Sequence, residues 1–322
     1  MRFVFQRLAF SLVVLFVATI IIFFGISAIG DPLGEIRSQP GISQEALQRL
    51  IDKKHLDDPL IIQYGYWLRD LLFNQFGTDL LFDRPIWPEL SRALGTTLQV
   101  VLAAEVLAIL VAVVIGTLAA RYQYSLFDYG TTLASFIGYA IPVFWLALIL
   151  QILTVNFYEA TGIRIFYISG LSSDDAGTGF AWLVDRIQHL VLPVLVLSIA
   201  SIASHSRYVR ASMLEVINSD YVRTARAKGV NERTILLRHS LRNATLPLVT
   251  VIGVSIGHLF NGTILIETIF SMPGMGLYFF NALNTRDTYS LMAWLVVTSA
   301  VMLLMNLITD LLYGVLDPRI NK

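Results

Sequence analysis

Cysteine is missing from this 322-residue chain, and charge is scarce. Without a thiol there can be no disulfide, no thiolate metal site and no cysteine nucleophile. Only 14% of the residues are Asp, Glu, Lys or Arg, where soluble domains carry about 25%. The charges that do occur cancel to a formal net charge of zero, so no whole-chain field favours nucleic acid, and no such partner is expected. The histidines His55, His189, His205, His239 and His258 are scattered without ligand spacing, so no metal site is expected, and no cofactor. A phosphate loop, GxxxxGK followed by Ser or Thr, is also absent. No residue is assigned a catalytic role, and the chain is expected not to be an enzyme.

What fills the space left by charge is apolar sequence, 56% of the chain. A helix crossing the hydrocarbon layer needs about 20 apolar residues. Leu8 to Gly30, Tyr129 to Tyr158, Ala244 to Ile266 and Tyr289 to Thr309 are free of charge, and Leu98 to Ala119 has Glu105 alone. Leu190 to Ser206 is shorter and holds Pro193. The expectation is an all-α polytopic membrane protein with six transmembrane helices in the lipid bilayer. Arg2 and Arg7 precede the first run, but it exceeds the roughly 7–15 apolar residues of a signal core. Asp31-Pro32 follows it in place of a cleavage site, so the helix is expected to be retained.

Basic residues at Arg2, Arg7, Arg121, Arg207 to Arg242, Arg319 and Lys322 fall on one side of this topology. In the long connection after the first span, acids outnumber bases. Both termini are therefore expected on the cytoplasmic face. The divisions are residues 1–30, an N-terminal helix; 31–95, an external segment between helices 1 and 2; 96–316, a membrane core with a cytoplasmic segment at 207–245; and 317–322, a tail. In the external segment Ser43 suits an N-cap and Glu45 a first turn. Ala46, Leu47, Leu50 and Ile51 follow at the spacing of one apolar helix face.

Polar residues inside apolar spans are candidates for function. Glu105 lies deepest; Glu267 and Asp310 lie near span ends. A bundle-facing partner such as a serine or a backbone amide, or contact with substrate, would account for Glu105. Ser255, His258 and Asn261 share one face of the fifth span. That stripe either lines a translocation path or hydrogen-bonds neighbouring helices.

The stretch from Arg207 to Arg242 carries eight basic residues: Arg207, Arg210, Arg223, Arg226, Lys228, Arg233, Arg238 and Arg242. Asp220 to Lys228 reads as a helix capped by Ser219 or Asp220 and stopped by Gly229. Asn231 can cap a second helix through Ile235, Leu236, Leu237 and Leu241. Two short helices meeting at a glycine make a compact knob, whose charge suits an acidic protein surface, anionic headgroups, or simply the positive-inside rule.

The segment YVRTARAKG (Tyr221 to Gly229), followed by RHSLRNATLP (Arg238 to Pro247), resembles the cytoplasmic coupling loop of binding-protein-dependent ABC importers. The similarity is to the dipeptide/oligopeptide/nickel branch. Arg223 and Thr224 stand where the general family motif has Glu and Ala. GDP (Gly30 to Pro32), HLDDPL (His55 to Leu60), QYGYWL (Gln63 to Leu68), FGTD (Phe76 to Asp79), IPVFWLALIL (Ile141 to Leu150), ETIFSMPGMG (Glu267 to Gly276), RDTY (Arg286 to Tyr289) and NLITDLLYGVLDPR (Asn306 to Arg319) resemble the same branch, in order. The resemblance implies the type I importer permease fold in the bacterial inner membrane, forming half of a path for peptides. It also implies a second homologous permease, two ATPase subunits that hydrolyse the ATP, and an external substrate-binding protein. Tyr221, Arg223, Thr224, Ala225, Arg226, Ala227, Lys228 and Gly229 would then form the ATPase coupling helix. Nickel complexes and glutathione are alternative substrates within the resemblance. The rival class, a self-contained secondary transporter or channel, calls for paired repeats or discontinuous helices; the sequence has no internal repeat.

Overall fold

The computed structural model describes residues 2–29, 33, 44–80 and 82–316. Among them the regular structure is helical, with a single isolated bridge between Thr78 and Pro85. Among the described residues, five helices are long and apolar enough to cross a membrane. They are α1 (Arg2–Ile29), α4 (Ile86–Arg121), α6 (Val143–Thr161), α7 (Phe180–Ile217) and α11 (Thr288–Leu316). A further 24-residue helix, α9 (Leu246–Ile269), covers all but the first two residues of the expected span from Ala244 to Ile266. The all-α membrane architecture expected from the uncharged runs is borne out.

Two spans differ from the sequence reading. The run from Tyr129 to Tyr158 is not one helix but two, α5 (Leu126–Ala140) and α6. Ile141 is extended at ψ 126° and Pro142 forms the N-cap of α6. A proline disfavours helical backbone in the residue before it, which ends α5 there. The short run around Pro193, by contrast, belongs to α7, a helix of 38 residues that carries the proline inside it. At about 1.5 Å per residue it is roughly 57 Å long, well beyond the roughly 30 Å hydrocarbon layer. Arg207 and Arg210 are therefore on the extension of a membrane helix and not in a loop.

The chain forms two compact units. The first holds residues 1–96 and 273–307. Here α2 (Gln44–Lys54) turns Leu47, Leu50 and Ile51 onto Leu33 and Leu80, the apolar face read from their spacing. Ser43 and the Ala46 side chain lie outside the described residues. Helix α3 (Leu60–Phe73) packs on α1: Phe23 meets Tyr64 and Trp67, and the Thr19 and Tyr64 hydroxyls are 3.0 Å apart. Helix α10 (Met275–Asn284) accepts the Trp294 indole N–H at the Met275 carbonyl.

The second unit holds residues 97–272 and 308–322 and is organised around α7. Helix α4 meets α7 at Gly116, where an added Cβ would fall 2.7 Å from the Ser206 carbonyl oxygen. Only glycine permits that approach, a common device where lipid gives no hydrophobic drive between helices. Helix α5 is held to α7 by a fork of two hydrogen bonds from Arg210, 2.6 and 2.7 Å, to the two carboxylate oxygens of Asp128. Just before these contacts along α7, Nε2 of His205 meets Glu105 of α4 at 2.8 Å. Both residues are buried, and Glu105 Oε2 and His205 Nδ1 have no other partner among the described residues. The partner of Glu105 is thus a histidine, where the sequence suggested a serine or a backbone amide.

Removing one member of such a pair strands the other in an apolar interior, at about 1–3 kcal/mol. Glu105→Ala should still insert into the membrane, since it deletes an intramembrane acid, but should melt at a lower temperature in detergent. His205→Leu should do the same. The double variant should be less destabilised than the two single effects summed, and that non-additivity is the measurement. Strict additivity of the melting free energies would dissolve the pair.

Candidate functional site

The exposed cationic knob grows directly from the end of α7. Asn218 ends that helix, and α8 (Asp220–Ala227) starts after one residue, Ser219. Ser219 occupies the N-cap position, as the sequence suggested, but its hydroxyl bonds back to the Val216 carbonyl at 2.6 Å. Val222 is fully buried and fixes the rotation of α8. With that residue inward, Tyr221, Arg223, Thr224, Arg226, Ala227 and Lys228 are exposed and Ala225 is half-buried. About two turns of helix therefore present the predicted set to solvent, with Ala225 half-buried beside the apolar anchor Val222.

Gly229 stops α8. Its φ of +76° lies in the left-handed region that glycine enters without strain. The Gly229 N–H donates to the Arg226 carbonyl at 2.9 Å, and the Val230 N–H to that of Ala225 at 3.2 Å. Nothing lies within 4 Å of where a Cβ would be, so backbone conformation alone demands glycine here. The Asn231 side chain then accepts the Arg233 N–H at 2.8 Å and caps the next turn, Glu232–Thr234, as its sequence position predicts. Two side-chain contacts strap the knob across this corner. Arg226 Nε donates to Glu232 Oε1 at 2.7 Å, and the Asn243 amide donates to the Tyr221 hydroxyl at 3.0 Å.

The second helix is not the regular one expected. Ile235–Ser240 winds as a π-helix before the chain resumes α-helix at Leu241–Ala244. Ile235 is buried beneath the knob, while Leu237 is exposed. A π-turn widens the helix by one residue and shifts which side chains face inward, which leaves Leu237 outside the apolar face read from the sequence.

The eight basic residues also separate. Arg210 is consumed by Asp128, and the Arg207 guanidinium lies over the Phe136 and Tyr139 rings at 5.3 and 5.6 Å. Arg223, Arg226, Lys228, Arg233, Arg238 and Arg242 remain exposed. No sequence signal separates the two groups; the distinction rests on the reach of α7 past the membrane.

The stripe on α9 is described only in part. The Ser255 hydroxyl bonds to the Val251 carbonyl of its own helix at 2.9 Å; the His258 and Asn261 side chains lie outside the described residues. Glu267, at the end of α9, is buried and accepts a hydrogen bond from the Thr97 hydroxyl.

Comparison with known proteins gives the family. Residues 112–322 match the family model described as "binding-protein-dependent transport system inner membrane component". The chain is 38% identical to the oligopeptide transport system permease protein AppB of Bacillus subtilis (strain 168), over 99% of both chains. It is 34% identical to the dipeptide transport system permease protein DppB of Escherichia coli (strain K12), over 100% of this chain and 99% of that one. A di/tripeptide transport system permease protein of Pseudomonas aeruginosa (strain UCBPP-PA14) is 35% identical over the same shares. The resemblance read from the motifs is borne out, and the chain belongs to the binding-protein-dependent transport system inner membrane components: it is a multi-pass permease subunit of an importer.

Proposed function

We propose that this permease forms half of a translocation path for peptides and receives the work of ATP hydrolysis through α8. Full-length relatives named as oligopeptide and dipeptide permeases support the substrate class. The remaining half is a second homologous permease, peptides are delivered by an external binding protein, and two ATPase subunits drive the cycle. The chain itself has no phosphate loop, so hydrolysis belongs to those subunits. Both termini and the segment 207–245 face the cytoplasm, residues 31–95 face outward, and residues 96–316 carry the transport core, with 1–30 a membrane helix and 317–322 a cytoplasmic tail.

One observation carries the coupling role. A short basic helix, exposed except at Val222 and the half-buried Ala225, is set at a fixed angle by a left-handed glycine and two side-chain straps. An ordinary positive-inside loop needs its charges but not this geometry. The helix is also continuous in space with α7, so a push on the knob reaches the membrane core through a packed helix and not a slack linker. Ser255, His258 and Asn261 remain the candidates for the path, on their shared helix face.

The decisive position is Gly229. A side chain there costs about 1–2 kcal/mol of left-handed strain, highest for a β-branched residue, with no clash to confuse the result. Gly229→Val should insert normally and pair with its partner permease. It should nevertheless recover less ATPase subunit in pull-downs and lose most peptide uptake in vesicles. Gly229→Asn, which tolerates the left-handed region, should retain more of both. Wild-type ATPase recovery and uptake with Gly229→Val would reduce the knob to a basic loop.

A further inference from the structure

A cavity of about 150 Å³ lies behind the knob. Its walls come from the last residues of α4 (Ala120, Arg121), the end of α7 (Ile217), Arg226 of α8, Glu232, and the π-segment residues Ile235, Leu236 and Ser240. All belong to the second compact unit. The space far exceeds the roughly 10–15 Å³ that one water requires.

The polar groups around it do not balance. Two guanidiniums face one carboxylate, and Glu232 is already engaged by Arg226 Nε. Arg121 has no acidic partner among the described residues; its guanidinium lies over the ring of its own neighbour Tyr122, at 5.5 Å. Among the described residues the site therefore keeps one positive charge without an acidic partner.

A second, independent observation points the same way. Ser240 lines the cavity, is completely buried, and its hydroxyl has no hydrogen-bond partner among the described residues. Buried hydroxyls are nearly always satisfied, and a helical serine ordinarily bonds back to the carbonyl four residues earlier. Here the helix is wound as π through Ile235–Ser240, and that bond is not made. The hydroxyl is left as a donor at the wall of a positively charged cavity.

We propose that this cavity binds one phosphate group, held by Arg121, the free end of Arg226 and the Ser240 hydroxyl. Guanidinium forks match phosphate oxygens in pairs, and a neutral occupant such as water would satisfy Ser240 but not the charge. The apolar wall of Ala120, Ile217, Ile235 and Leu236 suits the glycerol end of a phospholipid headgroup. So does the depth, because Arg121 stands where the apolar run from Leu98 to Ala119 ends. A free phosphate supplies the same chemistry without the glycerol. The site is read from α4, α7, α8 and the π-segment, and its test on Arg121 of α4 stands whether or not α8 contacts an ATPase.

The test uses the full chain, purified in detergent and stripped of lipid, as wild type, Arg121→Gln and Arg121→Lys. One arm adds phosphatidylglycerol or phosphatidylcholine and counts retained lipid by native mass spectrometry; the other adds millimolar inorganic phosphate and follows the melting temperature. Wild type should retain one phosphatidylglycerol with about tenfold preference over phosphatidylcholine. Arg121→Gln should lose that preference, and Arg121→Lys, which keeps the charge without the fork, should fall between. Stabilisation and lipid displacement by inorganic phosphate in wild type alone would assign the site to the free ion. Lipid preference without a phosphate effect would assign it to the headgroup. Equal lipid retention by wild type and Arg121→Gln, with no phosphate-dependent shift in either, overturns the proposal. Arg121 is exposed at a helix end, so its loss is not expected to unfold the chain; a Ser240→Ala variant gives an independent reading from the other wall.

Discussion

A backbone inside hydrocarbon has no water to bond, so every crossing segment must close its own hydrogen bonds along its length. That constraint makes α7 a single helix from Phe180 to Ile217, through Pro193 and out past the apolar layer. The rest of the second unit is fastened to this one element. Arg210 holds α5 by a two-point fork to Asp128, Gly116 lets α4 approach to backbone contact, and Glu105 of α4 closes on His205. A buried acid–histidine pair of this kind is weak evidence for stability, because desolvation offsets much of the attraction. It is stronger evidence for a fixed arrangement, since any slide of α4 along α7 would strand both groups.

The same constraint separates the parts that must be rigid from those that can be adjusted. Inside the membrane helices the polar side chains are largely spent on their own backbone: the Thr154 and Ser299 hydroxyls donate to the Leu150 and Leu295 carbonyls, while Gln151 of α6 donates to the Ile168 and Ile269 carbonyls. Beyond the end of α7 the chain turns in a single residue, and the surface changes to exposed arginine and lysine around one buried valine. The knob is therefore small, stiff and chemically unlike everything above it. It joins α7 through a single residue, Ser219.

Much of this was legible beforehand because bilayer physics writes itself into composition. Uncharged runs located the membrane helices, and the glycine, the Asn231 cap and the apolar face of α2 were visible as local patterns. The break at Pro142 was written in the sequence as well, but an uncharged run of that length masked it. Other features had no local signal. Arg207 and Arg210 look like loop charges until α7 is seen to run through them. His205 as the partner of Glu105, and Asp128 as that of Arg210, are pairings across long sequence separations that one chain does not declare. The π-turn is likewise silent, since Ile235 to Ser240 is ordinary helical composition. What the sequence does carry across those distances is the ordered set of motifs, and these pointed to the family before any geometry was known.

The absence of cysteine makes the central claim, that α8 is the surface on which the ATPase acts, directly accessible. A single Thr224→Cys substitution places one thiol on the exposed face of α8, and it can carry a maleimide-linked photocrosslinker with no background from the rest of the chain. In membranes containing the assembled, transport-competent complex, illumination should join this chain to the ATPase subunit. The same label at Leu153→Cys, on the exposed apolar face of α6, should give no such product. An active complex in which position 224 yields no ATPase adduct, or yields no more than position 153, would contradict the account.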